Sequence, residues 1–181
     1  MLEEATKRLP PGVIVHNDDV LDLHRFYGAH IDCIYAQGDV ISYSLDPYGA
    51  MNEFLKIIDV DGIIIVSFDN YWFQLIKCLL SLNIHSMRSI IMHNIVFMDY
   101  ANKNYVFPSK VVKPSKLNSY MKSFGYNIVI QFGKPSIISI ILDILRIRKF
   151  KCIFFIEVIL SRFSILSRHI EISYAKKVNF I

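Results

Sequence analysis

Short runs of β-branched and apolar residues recur along this chain, several closed by a polar or acidic cluster, and they constrain the fold more than any other feature. Val13-Ile14-Val15-His16 closes on Asn17-Asp18-Asp19, and Ile31 to Ala36 closes on Gln37-Gly38-Asp39. Ile63-Ile64-Ile65-Val66-Ser67-Phe68 is the most apolar of these runs. Runs this short with little alternation predict strands covered on both faces, as in a parallel sheet. Between the last two, Pro47 to Ile58 places Met51, Phe54, Leu55 and Ile58 on one helical face, and Asp61-Gly62 predicts a turn into the next strand. Strands separated by helices imply crossover connections and a mainly parallel α/β sheet.

The second half predicts a helix over Tyr71 to Leu82, an extended stretch over Ile90 to Phe97, and a turn at Ala101-Asn102-Lys103-Asn104 into Tyr105-Val106-Phe107. Pro114 opens a further helix that Gly125 closes as a left-handed cap. Tyr126 to Gln131 and His169 to Ala175 are strand candidates, with Ile137 to Ser167 mostly helical between them. At the other end, Met1, Leu2, Ala5 and Leu9 follow helical spacing until Pro10-Pro11-Gly12 stops it.

Composition narrows the class. The 181 residues carry 20 Lys+Arg against 16 Asp+Glu, a net charge of +4, with 53% hydrophobic residues, which excludes a disordered tail or a collagenous chain. The length suits one domain over 1–181. The densest basic run, Arg146 to Lys151, lies between apolar stretches and reads as a solvated turn, so no nucleic-acid partner is expected. Cys33, Cys78 and Cys152 are widely spaced, which predicts neither zinc knuckle nor disulfide framework and fits a reducing, cytoplasmic compartment. The acidic opening is unlike a secretory signal. Mean hydropathy is high at +0.36, yet Asp143, Arg146 and Glu157 interrupt the apolar stretches near the carboxyl end, short of a spanning helix. A membrane-surface role for Ile137 to Leu166 is the remaining membrane reading.

The order of these pieces resembles the class I S-adenosylmethionine-dependent methyltransferases. Met1-Leu2-Glu3-Glu4-Ala5 resembles the start of the helix after that family's second strand, and Val15 to Leu23 resembles its third strand and acidic loop. Ile31 to Asp39 resembles the fourth strand, and Phe54 to Gly62 the helix and turn ahead of the fifth. Leu117 to Tyr126 resembles the helix before the sixth strand, and His169 to Lys177 the seventh strand. The resemblance therefore spans nearly the whole chain. It implies a Rossmann-like methyltransferase sheet, mostly parallel with an antiparallel last strand, in the order 3-2-1-4-5-7-6.

The same resemblance implies S-adenosylmethionine as cofactor. Asp19, or Asp18 beside it, would accept from the adenine amine, the Val20 backbone would meet the ring, Met1 would flank it, and Gln37 would lie at the carboxyl end of the fourth strand. The family's Gly-rich loop and ribose-binding acid have no counterpart, because Gly12, Gly28, Gly38, Gly49, Gly62, Gly125 and Gly133 never stand as Gly-x-Gly. The expectation is a domain lacking its first strand–helix–strand portion, with a small-molecule acceptor served by a variable segment over 70–110, and inactive as this chain alone. The Val13–His16 strand would then either pair directly with Ile31–Ala36 or hang free, and self-association would follow. A non-enzymatic interaction protein is the rival reading. Asp46-Pro47-Tyr48 resembles the Asp/Asn-Pro-Pro-Tyr of amino-methylating enzymes but has one Pro, and reads better as a helix start. No two of His16, His24, His30, His85, His93 and His169 are four apart, which gives metal ligation no local motif; His93 could act as a base but reads better as structural.

Overall fold

The computed structural model describes residues 7–99, 106–136 and 167–176. Four strands form the main sheet: β1 (Ile31–Ala36), β2 (Ile58–Asp69), β5 (Asn127–Ser136) and β6 (Ser167–Ala175), in the order β1-β2-β6-β5. β1 and β2 are parallel, and β6 runs antiparallel to both β2 and β5. Three strands therefore point one way and β6 opposes them, the order 4-5-7-6 that the resemblance implies. The expected opening helix, over its first six residues, and the expected helical stretch over 137–166 lie outside the described residues.

Two helices lie between β1 and β2. The first, α1 (Val40–Tyr43), is a single turn. The second, α2 (Pro47–Ile57), starts as its sequence dictates: the Asp46 side chain accepts from Gly49 N–H at 3.0 Å and Pro47 occupies the first turn. Its Ala50, Met51, Phe54 and Ile57 are buried, each of the larger ones contributing about 1.5–3 kcal/mol against the sheet. No turn separates α2 from β2, which starts at Ile58 and runs through Asp61-Gly62. The register against β1 shifts between Ile31 and Cys33. Gly62 is needed in this irregular stretch, because a Cβ there would sit 2.6 Å from Ile58 and 3.0 Å from the Asp32 carbonyl oxygen.

Beside α2, where Tyr120 meets Tyr48, α5 (Pro114–Ser123) packs Leu117 and Met121 into the same core as Ile64, Val66, Phe68, Ile170 and Ile172. Gly125, at φ +83°, ends it: its N–H reaches Lys122 O and the Tyr126 N–H reaches Met121 O, the paired bonds of a left-handed cap. The Tyr174 hydroxyl donates to Asn118 Oδ1 at 2.6 Å and ties β6 to this helix. Burial pushes that phenol's pKa far up, so it stays a donor.

A second, smaller core lies between β2 and α5. It is built from α3 (Tyr71–Leu80), α4 (Ile84–His93) and the antiparallel pair β3 (Ile95–Asp99) and β4 (Val106–Lys110), around Tyr71, Cys78, Ile90, Val96, Met98 and Val111. The segment leaves and rejoins the sheet at one point: the Val112 N–H donates to Asp69 O and the Tyr71 N–H to Val112 O.

Besides the turn expected at Asp61-Gly62, two expectations are corrected. Ile90 to Phe97 is not one extended stretch. Asn83 caps α4 by accepting from Ser86 N–H, and Asn94, left-handed at φ +54°, ends the helix before β3 begins. Apolar residues on both sides hid this break, whose markers are His93 and Asn94 between them. Val13 to His16 is not a strand either. β1 ends the sheet order among the described residues, so the β-branched run has no ladder to join, and Ile14 is 76% exposed. Of the two outcomes foreseen for that run, it hangs free.

Candidate functional site

The carboxyl end of β1 turns sharply. Gly38 (φ +78°) and Asp39 (φ +60°) are both left-handed, a conformation that Gly adopts freely and Asp tolerates. This kink turns the chain into α1 and leaves the Asp39 N–H donating to Ser67 Oγ of β2 at 3.0 Å. The next link runs the other way across the sheet. The Asp69 N–H donates to Ser42 Oγ of α1 at 3.0 Å, and the Ser109 hydroxyl of β4 donates to Asp69 Oδ2 at 2.6 Å. Asn70 caps α3 by accepting from Trp72 N–H, and its amide donates to Ser167 O at the start of β6.

His169 completes the group. It stands opposite Asp69 in the β2–β6 ladder, and because β6 is antiparallel its first residues reach the edge where β1 and β2 end. Its Nδ1 lies 2.6 Å from Asp39 Oδ2 and 3.6 Å from Asp69 Oδ1. Neither approach has hydrogen-bond alignment, and Asp39 Oδ1, Asp69 Oδ1 and His169 Nδ1 are buried with no hydrogen-bond partner among the described residues. Asp69 is fully buried and Asp39 is 6% exposed. Burial pushes the Asp69 carboxyl above its ordinary range and the Asp39 charge adds to this, while the Ser109 hydroxyl, His169 and Arg168 pull it back. Tyr43, at the end of α1, has its phenol raised, chiefly by burial and further by the Asp69 and Asp39 charges.

These groups border a cleft of about 240 Å³ lined by Gln37, Gly38, Asp39, Ser67, His169, Ile170 and Glu171. Gln37, singled out from the sequence, is in it, and its Nε2 is another buried atom without a partner. The other sequence candidates are elsewhere. Asp19 Oδ1 accepts from Leu21 N–H at 3.0 Å in an exposed tight turn, and Asp18 Oδ1 lies 3.5 Å from Arg25 Nη2. Val20 is half-buried against the main core. Neither carboxylate nor Val20 lines this cleft. Met1 lies outside the described residues. Asp46 is the helix cap that its sequence context implies, and His93 is exposed at the end of α4.

Sequence reasoning missed Asp39, Asp69 and His169 as site residues, although Asp39 stands in the same polar cluster as Gln37. Asp69 follows the most apolar strand, at the kind of strand end where open α/β sheets bind ligands, and that signal was available. His169 stands in no motif of its own, and the available signal was the antiparallel last strand that the resemblance implies, which brings a strand's first residues to that edge.

No family model and no curated protein matches the chain by sequence. Solved structures do match. An S-adenosylmethionine-dependent methyltransferase from Clostridium acetobutylicum aligns with 96% of this chain and 68% of its own, at 11% identity and a TM-score of 0.48. The CcbJ methyltransferase from Streptomyces caelestis aligns with 98% of this chain and 70% of its own, at 13% identity and a TM-score of 0.53. The second likeness, together with the strand order β1-β2-β6-β5, gives the chain a class I methyltransferase-like fold.

Proposed function

We propose that this protein serves S-adenosylmethionine-dependent methyl transfer to a small-molecule acceptor, and that these residues furnish the acceptor side of the site. The observation that carries the reading is the convergence of Gln37, Asp39, Asp69 and His169 from three strands at one sheet edge, beside a cleft. Ligands of open α/β sheets bind at such an edge. The segment with the smaller core, rooted on Asp69 through Val112, stands beside that edge and is the acceptor-selecting segment of this reading, covering 70–110.

The described residues do not by themselves fit the cofactor. No Gly-x-Gly turn follows a strand to let backbone N–H groups approach a ligand, and the Asp39 carboxylate of the cleft faces His169 rather than standing free for a ribose. What the chain's own groups can do is orient an acceptor in the cleft that Asp39, Ser67 and His169 line. In this reading Asp19, or Asp18, together with Val20, Gln37 and Met1, meets the cofactor only when the rest of a cofactor site is supplied. The chain alone is therefore expected to bind S-adenosylmethionine negligibly. Isothermal titration tests this, and micromolar affinity for the chain alone would overturn it.

Other partners follow from the surface. Among the described residues β1 ends the sheet with Tyr35 66% exposed, an edge suited to self-association. Concentration-dependent mass in light scattering is the expected result, and a strict monomer would refute it. No helix among the described residues is long and apolar enough to cross a membrane. Cys33 and Cys78 are free thiols, which suits the cytoplasm. Nucleic acid has no place in this reading.

A further inference from the structure

We propose that Asp39, Asp69 and His169 form a binding site for one divalent cation of the manganese or zinc class. The proposal stands apart from methyl transfer, since it concerns a ligand that the chain can take up without cofactor or acceptor.

Three observations carry it. One ligand atom from each of the three residues, two carboxylate oxygens and an imidazole nitrogen, lies within 4.8 Å of the others. Donors at roughly 2.0–2.2 Å from one ion stand about 3–3.5 Å apart, and the 3.6 Å between His169 Nδ1 and Asp69 Oδ1 is close to such an edge. Asp39 sits nearer to the imidazole, and rotation of its carboxylate opens that pair.

Next, these atoms lack other work. Asp39 Oδ1, Asp69 Oδ1 and His169 Nδ1 are all buried and without a hydrogen-bond partner among the described residues, and Asp39 and His169 line the cleft. A settled ion pair aligns its donor with its acceptor, whereas here His169 Nδ1 approaches two carboxylates and is aligned with neither. A cation accepts lone pairs from all three at once.

Finally, the surroundings fix the ligands from outside. Ser109 Oγ donates to Asp69 Oδ2, leaving Oδ1 for the ion, and Ser67 Oγ accepts the Asp39 N–H and pins the kink that aims its carboxylate. Such outer hydrogen bonds orient metal ligands. The mixed oxygen and nitrogen donors favour manganese or zinc over magnesium, which prefers oxygen alone, and over copper(I), which prefers sulfur.

The test uses the full chain freed of metal by chelation. Manganese(II) titration followed by electron paramagnetic resonance, and zinc titration by calorimetry, should each give one site per chain. Asp69→Asn and His169→Gln should each weaken binding by at least about 100-fold, and Ser109→Ala by about 10-fold, the lower end for an outer-shell loss. Circular dichroism before titration confirms that each variant is folded, and His169→Gln, at a partly exposed position, keeps the test open should Asp69→Asn fail to fold. No binding by the folded parent chain would overturn the proposal and leave the cluster as an internal ion pair. Binding undiminished in folded His169→Gln would overturn it equally.

Discussion

Two buried acidic groups in this molecule have opposite surroundings. Glu53 of α2 is 6% exposed and answered on every side: it accepts from the Leu23 N–H at 3.1 Å and the Tyr27 hydroxyl at 2.9 Å, and it pairs with Lys56 one turn on. The Lys56 ammonium and these donors hold its carboxyl below the usual range. Asp69, fully buried at the end of β2, has Ser109 for one oxygen and nothing aligned for the other among the described residues, and its carboxyl is pushed up instead. A carboxylate saturated with donors fastens structure; one left half-answered beside a second carboxylate costs stability, and such costs are kept where a site needs them. Glu53 ties the loop over Leu23 and Tyr27 to α2, so an irregular stretch with little burial of its own stays against the core.

The sharpest way to break this contrast is Glu53→Ala. Removing the acceptor takes a partner from the Leu23 N–H, the Tyr27 hydroxyl and Lys56 together, leaving the last two only each other, and the expected loss in urea denaturation is about 2 kcal/mol at neutral pH. Because the folded pKa is depressed, the contribution is present above the ordinary glutamate range and fades as pH falls through the lowered folded value. A penalty that stays constant down into acid would contradict that account.

Asp69→Asn should go the other way. The amide still accepts from Ser109 and removes a buried charge, so chelator-treated variant should gain about 1 kcal/mol at neutral pH. A raised folded pKa means that the parent keeps its full stability below the ordinary aspartate range and loses it as pH rises through the raised value. The gain should therefore be absent in acid and emerge with rising pH. Asp39 after β1, His169 and Arg168 on β6 and Ser109 on β4 all bear on this group, so Asp39→Asn in the same background should shrink the gain. If Asp69→Asn is instead strongly destabilising at neutral pH, the carboxylate is answered after all and the contrast fails.

The smallest expected effect is Tyr27→Phe, which removes one donor from Glu53 while keeping the ring over which Lys56 lies. A loss of about 1 kcal/mol or less in thermal melts is expected, smaller than for Glu53→Ala. A larger loss than in Glu53→Ala would move the anchoring role from the carboxylate to the tyrosine.

Much of the fold is legible in the residues because the signals are local. Asp46-Pro47 starts α2, Pro114 and Gly125 bound α5, and the run Ile63 to Phe68 becomes part of a strand paired on both sides. What misled was also local: Val13 to His16 has the composition of a strand, and composition cannot supply the neighbouring edge that a strand requires. The site divides along the same line. Gln37 and Asp39 could be read from a polar cluster ending a strand, whereas His169 is 130 positions beyond Asp39 and at the wrong end of its strand for a parallel sheet.

The sequence by itself determined the segments, their caps and their order, since short-range hydrogen bonding and periodicity set these within a few residues of chain. The resemblance implied that the last strand inserts antiparallel between its two neighbours, as β6 does between β2 and β5, and only the tertiary structure decided that a histidine near its start meets two aspartates in a cleft. Strand direction and neighbour are long-range choices, settled by which apolar faces bury each other, and no local pattern in the chain encodes them.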